Sequence, residues 1–163
     1  MKKALFTLLL GAVISFSASA QTSTRIGGLL GYGSEIESFA IGGIAEFMIK
    51  ENMGISPSLV FFFPKTESGY KSSLWELNGN FNYYFLTEGS AQVYGLAGLN
   101  LAGAKTKVGD TEVYSETELG LNLGVGSNFV ISNEKILPFA EIKYVISDFD
   151  QLCIYAGIKF NIN

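Results

Sequence analysis

The chain has 163 residues, of which 48% are hydrophobic, 13% aromatic and only 16% charged, with net charge −4, one cysteine and no histidine. That length suits one ordinary domain, and the charge content is low beside the roughly 25% of soluble domains. The acidic balance offers no basic patch for nucleic acid, the missing histidine removes the commonest general base and metal ligand, and a lone cysteine excludes a disulfide framework or thiolate cluster.

Lys2 and Lys3 open the chain, residues 4–16 carry no charge, and Ser17-Ala18-Ser19-Ala20 supplies small residues at a cleavage position. This is the layout of a secretory signal peptide over 1–20, with cleavage between Ala20 and Gln21. The apolar run is short for the roughly 20 residues of a membrane span. Removal of the segment takes two lysines and moves the net charge from −4 to −6.

From residue 21 onward the dominant signal is period two. Trp75, Leu77, Gly79, Phe81, Tyr83 and Phe85 alternate with Glu76, Asn78, Asn80, Asn82 and Tyr84. Thr117, Leu119, Leu121, Leu123 and Val125 alternate with Glu118, Gly120, Asn122, Gly124 and Gly126. Leu152, Ile154, Ala156, Ile158, Phe160 and Ile162 alternate with Cys153, Tyr155, Gly157, Lys159 and Asn161. Alternation of this length places successive side chains on opposite faces of a strand. The pattern predicts eight strands at about 24–33, 38–49, 54–64, 73–86, 91–103, 113–131, 136–146 and 152–162. Lys50-Glu51-Asn52-Met53, Thr87-Glu88-Gly89-Ser90 and Ser132-Asn133-Glu134-Lys135 read as short turns, and 65–72 and 104–112 as longer loops.

Eight antiparallel strands with short turns at one end and longer loops at the other predict an all-β fold, an up-and-down transmembrane β-barrel over 21–163. A soluble barrel around a ligand also alternates. Two features favour the membrane form. The polar face is mostly Gly, Asn, Ser and Ala, which suits a crowded lumen. Aromatics gather near strand ends on the apolar face: Phe47, Phe85, Phe129 and Phe160 toward the short turns, and Phe39, Phe61, Phe63 and Trp75 toward the loops. Aromatic girdles at the two interfaces have this distribution.

If the apolar face meets lipid, Arg25, Glu46, Glu76, Glu141, Lys143 and Lys159 face the lumen, three acids against three bases. Buried ions need partners, so a structural network is expected there. Pairing Tyr32 with Phe39 across the first hairpin sets Arg25 opposite Glu46; the alternative has Arg25 pointing out near the chain start without a partner. Glu116 and Glu118 share a strand face, as do Glu35 and Glu37, and read as solvated rim acids. Cys153 reads as a small lumen filler.

The tail Pro138-Phe139-Ala140-Glu141-Ile142-Lys143-Tyr144, Ser147-Asp148-Phe149-Asp150-Gln151 and Tyr155-Ala156-Gly157-Ile158-Lys159-Phe160 resembles the closing hairpin of the small, porin-like outer-membrane β-barrel family. The resemblance implies a Gram-negative outer-membrane protein exported through its signal peptide. It also implies a last strand whose aromatic, here Phe160 followed by Asn161-Ile162-Asn163, is read by the barrel-assembly machinery. Enzymes among such barrels use histidine with Ser or Asp, a site this chain cannot build. The expectation is a non-enzymatic barrel without cofactor or metal, monomeric, with outer-membrane lipid as its surroundings and no nucleic acid. Its role is structural, surface contact or adhesion. A narrow channel or small-ligand transporter is the alternative, and a secreted soluble carrier of the lipocalin type a further one.

Overall fold

The computed structural model describes residues 23–109, 111–131 and 135–162. The signal peptide expected at 1–20, its cleavage point and most of the Ser132–Lys135 turn lie outside the described residues.

Nine strand segments follow one another: β1 (Thr24–Gly33), β2 (Ser38–Lys50), β3 (Met53–Phe62), β4 (Lys65–Glu67), β5 (Tyr70–Leu86), β6 (Ala91–Val108), β7 (Thr111–Phe129), β8 (Ile136–Ile146) and β9 (Gln151–Asn161). β4 continues β3 after an interruption at Phe63 and Pro64, since both pair antiparallel with β5. The expected eight strands are therefore present, one of them in two pieces. Each strand pairs with its sequence neighbours, and β1 pairs with β9 from Arg25↔Asn161 to Gly33↔Cys153. That last ladder closes the sheet into an antiparallel barrel without free edges along its body.

Two expected loops are corrected. Residues 65–67, 70–72 and 104–108 are strand, not loop, and β7 begins at Thr111. Polar and charged residues occupy both faces there, so apolar alternation stops where the lipid contact stops, although the hydrogen-bond ladder continues. Ser68 and Gly69, both at positive φ (51° and 83°), turn the chain tightly between β4 and β5, as a short hairpin turn requires. β7 pairs with β6 along its whole length but meets β8 only up to Leu121↔Ile146. The upper ends of β5, β6 and β7, with β4 alongside β5, thus rise past the barrel body as a tongue.

The two faces are inverted relative to a soluble protein. Leu30, Phe39, Leu119 and Leu123 point outward and are 63%, 68%, 67% and 61% exposed. Asn78, Asn82, Asn100, Asn122 and Asn128 are buried inside. Only in a lipid solvent does this arrangement remove apolar surface from water while keeping polar groups mutually bonded. Close packing inside relies on a few small residues. A Cβ placed on Gly126 would meet the Tyr94 ring, its direct neighbour on β6, at 2.4 Å. On the outer face the Trp75 indole covers Gly103 in the same way.

Candidate functional site: the lumen network and the loop-end mouth

Strand alternation aims one side chain in two at the lumen, and the hairpin register decides which charges meet. β1 and β2 pair with Tyr32↔Phe39 and Arg25↔Glu46. Arg25, Glu46, Glu76, Glu141, Lys143 and Lys159 all lie inside, at most 8% exposed.

Two carboxylates act as hubs. Glu46 accepts hydrogen bonds from Arg25 (3.2 Å), Lys159 (3.1 Å), the Tyr84 hydroxyl (2.5 Å) and the Asn82 amide (2.8 Å). It sits where the β2–β3 ladder is interrupted between Ile44↔Ser58 and Phe47↔Ile55. Pro57, which has no N–H to donate, lies in that gap. Lys159 also donates to Asn128 Oδ1 (3.1 Å), and Asn128 to the Tyr84 oxygen (2.9 Å). Glu76 accepts from Lys143 (3.0 Å), Gln151 (2.6 Å) and Tyr155 (3.3 Å). Lys143 reaches on to Asn78 Oδ1 (2.6 Å), which also accepts from Asn100 and Asn122, both at 2.9 Å. Glu141 takes a hydrogen bond from Tyr94 (2.9 Å).

Each hub is hydrogen-bonded from several strands: β1, β5 and β9 converge on Glu46, with cations Arg25 and Lys159, and β8 and β9 meet Glu76 of β5, with the cation Lys143. Such pairing is what lets ions stay in a closed interior. No side-chain hydrogen bond between described residues joins the Glu46 network to the Glu76 network. The sequence pattern marked the charges but not the tyrosines and asparagines that complete their shells. The signal available was Tyr84, an aromatic standing on the polar face of an otherwise regular strand.

The eight aromatics of the apolar face divide by position. Phe39, Phe61 and Phe63 are exposed beside the loops, where Trp75 is half-buried against Gly103; Phe47, Phe85, Phe129 and Phe160 are exposed toward the turns. Cys153 is buried in the lumen as a free thiol. At the mouth, Glu37 pairs with Lys65, while Glu116 and Glu118 project from the tongue. Lys65 holds the Glu37 carboxyl below the usual range, by hydrogen bond first and charge second. No group of three or more metal-ligating side chains is gathered among the described residues.

The loop end contains an open cavity of about 170 Å³, bounded by Glu35 and Ile36, by residues 72–74 of β5 and 104–106 of β6, and by Phe149. Its floor is Gln151, the same residue that donates to Glu76.

The family described as "Outer membrane protein beta-barrel domain" matches residues 6–161. No curated protein matches the chain by sequence. Among solved structures, Neisserial surface protein A superposes with a TM-score of 0.70 at 15% identity, covering 88% of this chain and 98% of that one. The N-terminal β-barrel domain of Pseudomonas aeruginosa OprF gives 0.67 at 17%, covering 86% and 97%. Ail, the attachment invasion locus protein of Yersinia pestis, gives 0.59 at 15%, covering 86% and 96%. At these identities the likeness is one of fold.

Proposed function

Since this chain belongs to the outer membrane protein β-barrel family, we propose that it is a non-enzymatic surface barrel with a closed lumen, acting outside the cell through its loop end. The observation that carries this reading is the cross-lumen bonding of Glu76 to Lys143, Gln151 and Tyr155, with Asn78, Asn100 and Asn122 beside it. An eight-stranded barrel is only wide enough for side chains to fill it, and here polar groups fill it while satisfying one another. A pore for solutes would have to break several buried hydrogen bonds to charged groups, each worth about 1.5–3 kcal/mol. The rising β5–β6–β7 tongue favours contact with molecules outside the cell. A surface-contact role is also in keeping with the name of the attachment invasion locus protein, whose fold this chain shares.

Lipid is the partner that the outward apolar face fits, with the eight girdle aromatics at its borders. The barrel works as a monomer, because closure leaves no edge along the membrane band for a second copy to pair with. The test is single-channel recording in planar bilayers. No conductance above that of the bare bilayer is expected, and steady ohmic steps would overturn the reading in favour of a narrow channel.

A further inference from the structure

The bilayer accounts for the outward apolar side chains of the barrel body, but not for those that face the mouth. Ile36, Ala104 and Phe149 pack half-buried on the upper lumen cluster that includes Leu74. All four line the 170 Å³ cavity, with Gln151 at its floor and Glu35 on its rim. This is apolar surface in an aqueous vestibule, where neither lipid nor protein covers it.

Two features define what would fit. The volume is close to the roughly 150 Å³ of an apolar cavity able to hold a benzene-sized molecule, so one ring or short alkyl body is the right size. Of the two charged residues that line the cavity, Glu35 has no ion-pair partner among the described residues, whereas Lys105 is engaged with Glu112 (3.5 Å). The free charge at the rim is therefore negative.

We propose that this mouth cavity binds a small organic ammonium ion, an amine carrying one aromatic ring or a short alkyl body. The body replaces water against Ile36 and Phe149, and the ammonium lies at the rim within the field of Glu35. The site deepens the surface-contact reading by naming a ligand class for the loop end, and it stands above the lumen network without opening it.

The test uses the folded protein in non-ionic micelles, titrated with benzylammonium, benzyl alcohol and benzoate by calorimetry and ligand-observed saturation-transfer NMR, against empty micelles. Benzylammonium is expected to bind about three- to fivefold more tightly than the alcohol, the scale of one exposed charge contact, and benzoate least. Glu35→Gln should erase the preference over the alcohol, and Ala104→Phe, which fills the cavity, should abolish binding of both. Equal binding of the three probes, or an unchanged preference in Glu35→Gln, would overturn the proposal. Glu35 lies in an exposed loop, so that variant decides the matter even if Ala104→Phe does not fold. A barrel that conducts ions yet still selects benzylammonium would overturn the closed lumen and uphold the cavity. A non-conducting barrel without selectivity would do the reverse.

Discussion

Glu46 ties β2 to three other strands through a single carboxylate. Two cations, Arg25 and Lys159, depend on it for neutrality. Glu46→Gln should therefore leave both under-compensated and destabilise the barrel by about 3–5 kcal/mol, the cost of breaking a buried ion pair. Arg25→Gln added to that change should cost little more, because the guanidinium has already lost its partner. A double-mutant cycle on urea unfolding reads the coupling, and strictly additive effects would mean that the pair contributes nothing. At the rim the chemistry is gentler. The hydrogen bond and charge of Lys65 hold Glu37 down, and those of Glu37 hold the Lys65 ammonium up. Lys65→Met should let the Glu37 carboxyl rise toward its ordinary value in a carbon-13 NMR titration; an unmoved titration would show that the two are not bonded in solution.

Strand β7 shows how an element reconciles two solvents. Leu121 and Leu123 point outward at 55% and 61% exposure, and Asn122 between them is 2% exposed, donating to Asn78 and Asn80. Arg at Leu121 should cost about 2–4 kcal/mol where the position lies near the bilayer midplane. Asn122→Ala should instead loosen the lumen by taking from Asn80 Oδ1 its donor, while Asn78 keeps Lys143 and Asn100. Spin labels finding position 122 in lipid and 121 in water would shift the whole register by one. Further along the strand, Gly126 is small because Tyr94 lies over it. Gly126→Val should push the ring aside and weaken its bond to Glu141, with unfolding at a lower urea concentration as the readout. A variant as stable as the parent would show that the ring has room to move.

For the whole molecule, closure through β1 and β9 means that no strand can peel away without breaking ladders on both sides. Detergent-folded protein should keep its β structure in SDS without boiling and migrate differently after heating. A sample that unfolds freely in cold SDS would sink the closed-barrel account. Above the body the situation changes, because residues 111–120 of β7 have β6 as their only ladder partner. Glu112, Glu116 and Glu118 sit along that edge, and charges there discourage pairing with another copy.

Most of the barrel was legible in the sequence because lipid and lumen impose opposite solvents on alternate residues. Trp75 to Phe85 and Leu119 to Val125 record that constraint directly, and the charges falling on the polar face follow from it. Where the constraint ends, the pattern ends too: the tongue strands at 70–72 and 104–108 read as loops because water meets both their faces. The pairing of Arg25 with Glu46 was also within reach, since a hairpin register joins residues near in sequence. Only the tertiary structure decided that Lys159 shares Glu46, and that Lys143, Gln151 and Tyr155 converge on Glu76. These residues stand far apart in the chain, and closure of the barrel, which no local pattern encodes, brings them within hydrogen-bonding distance.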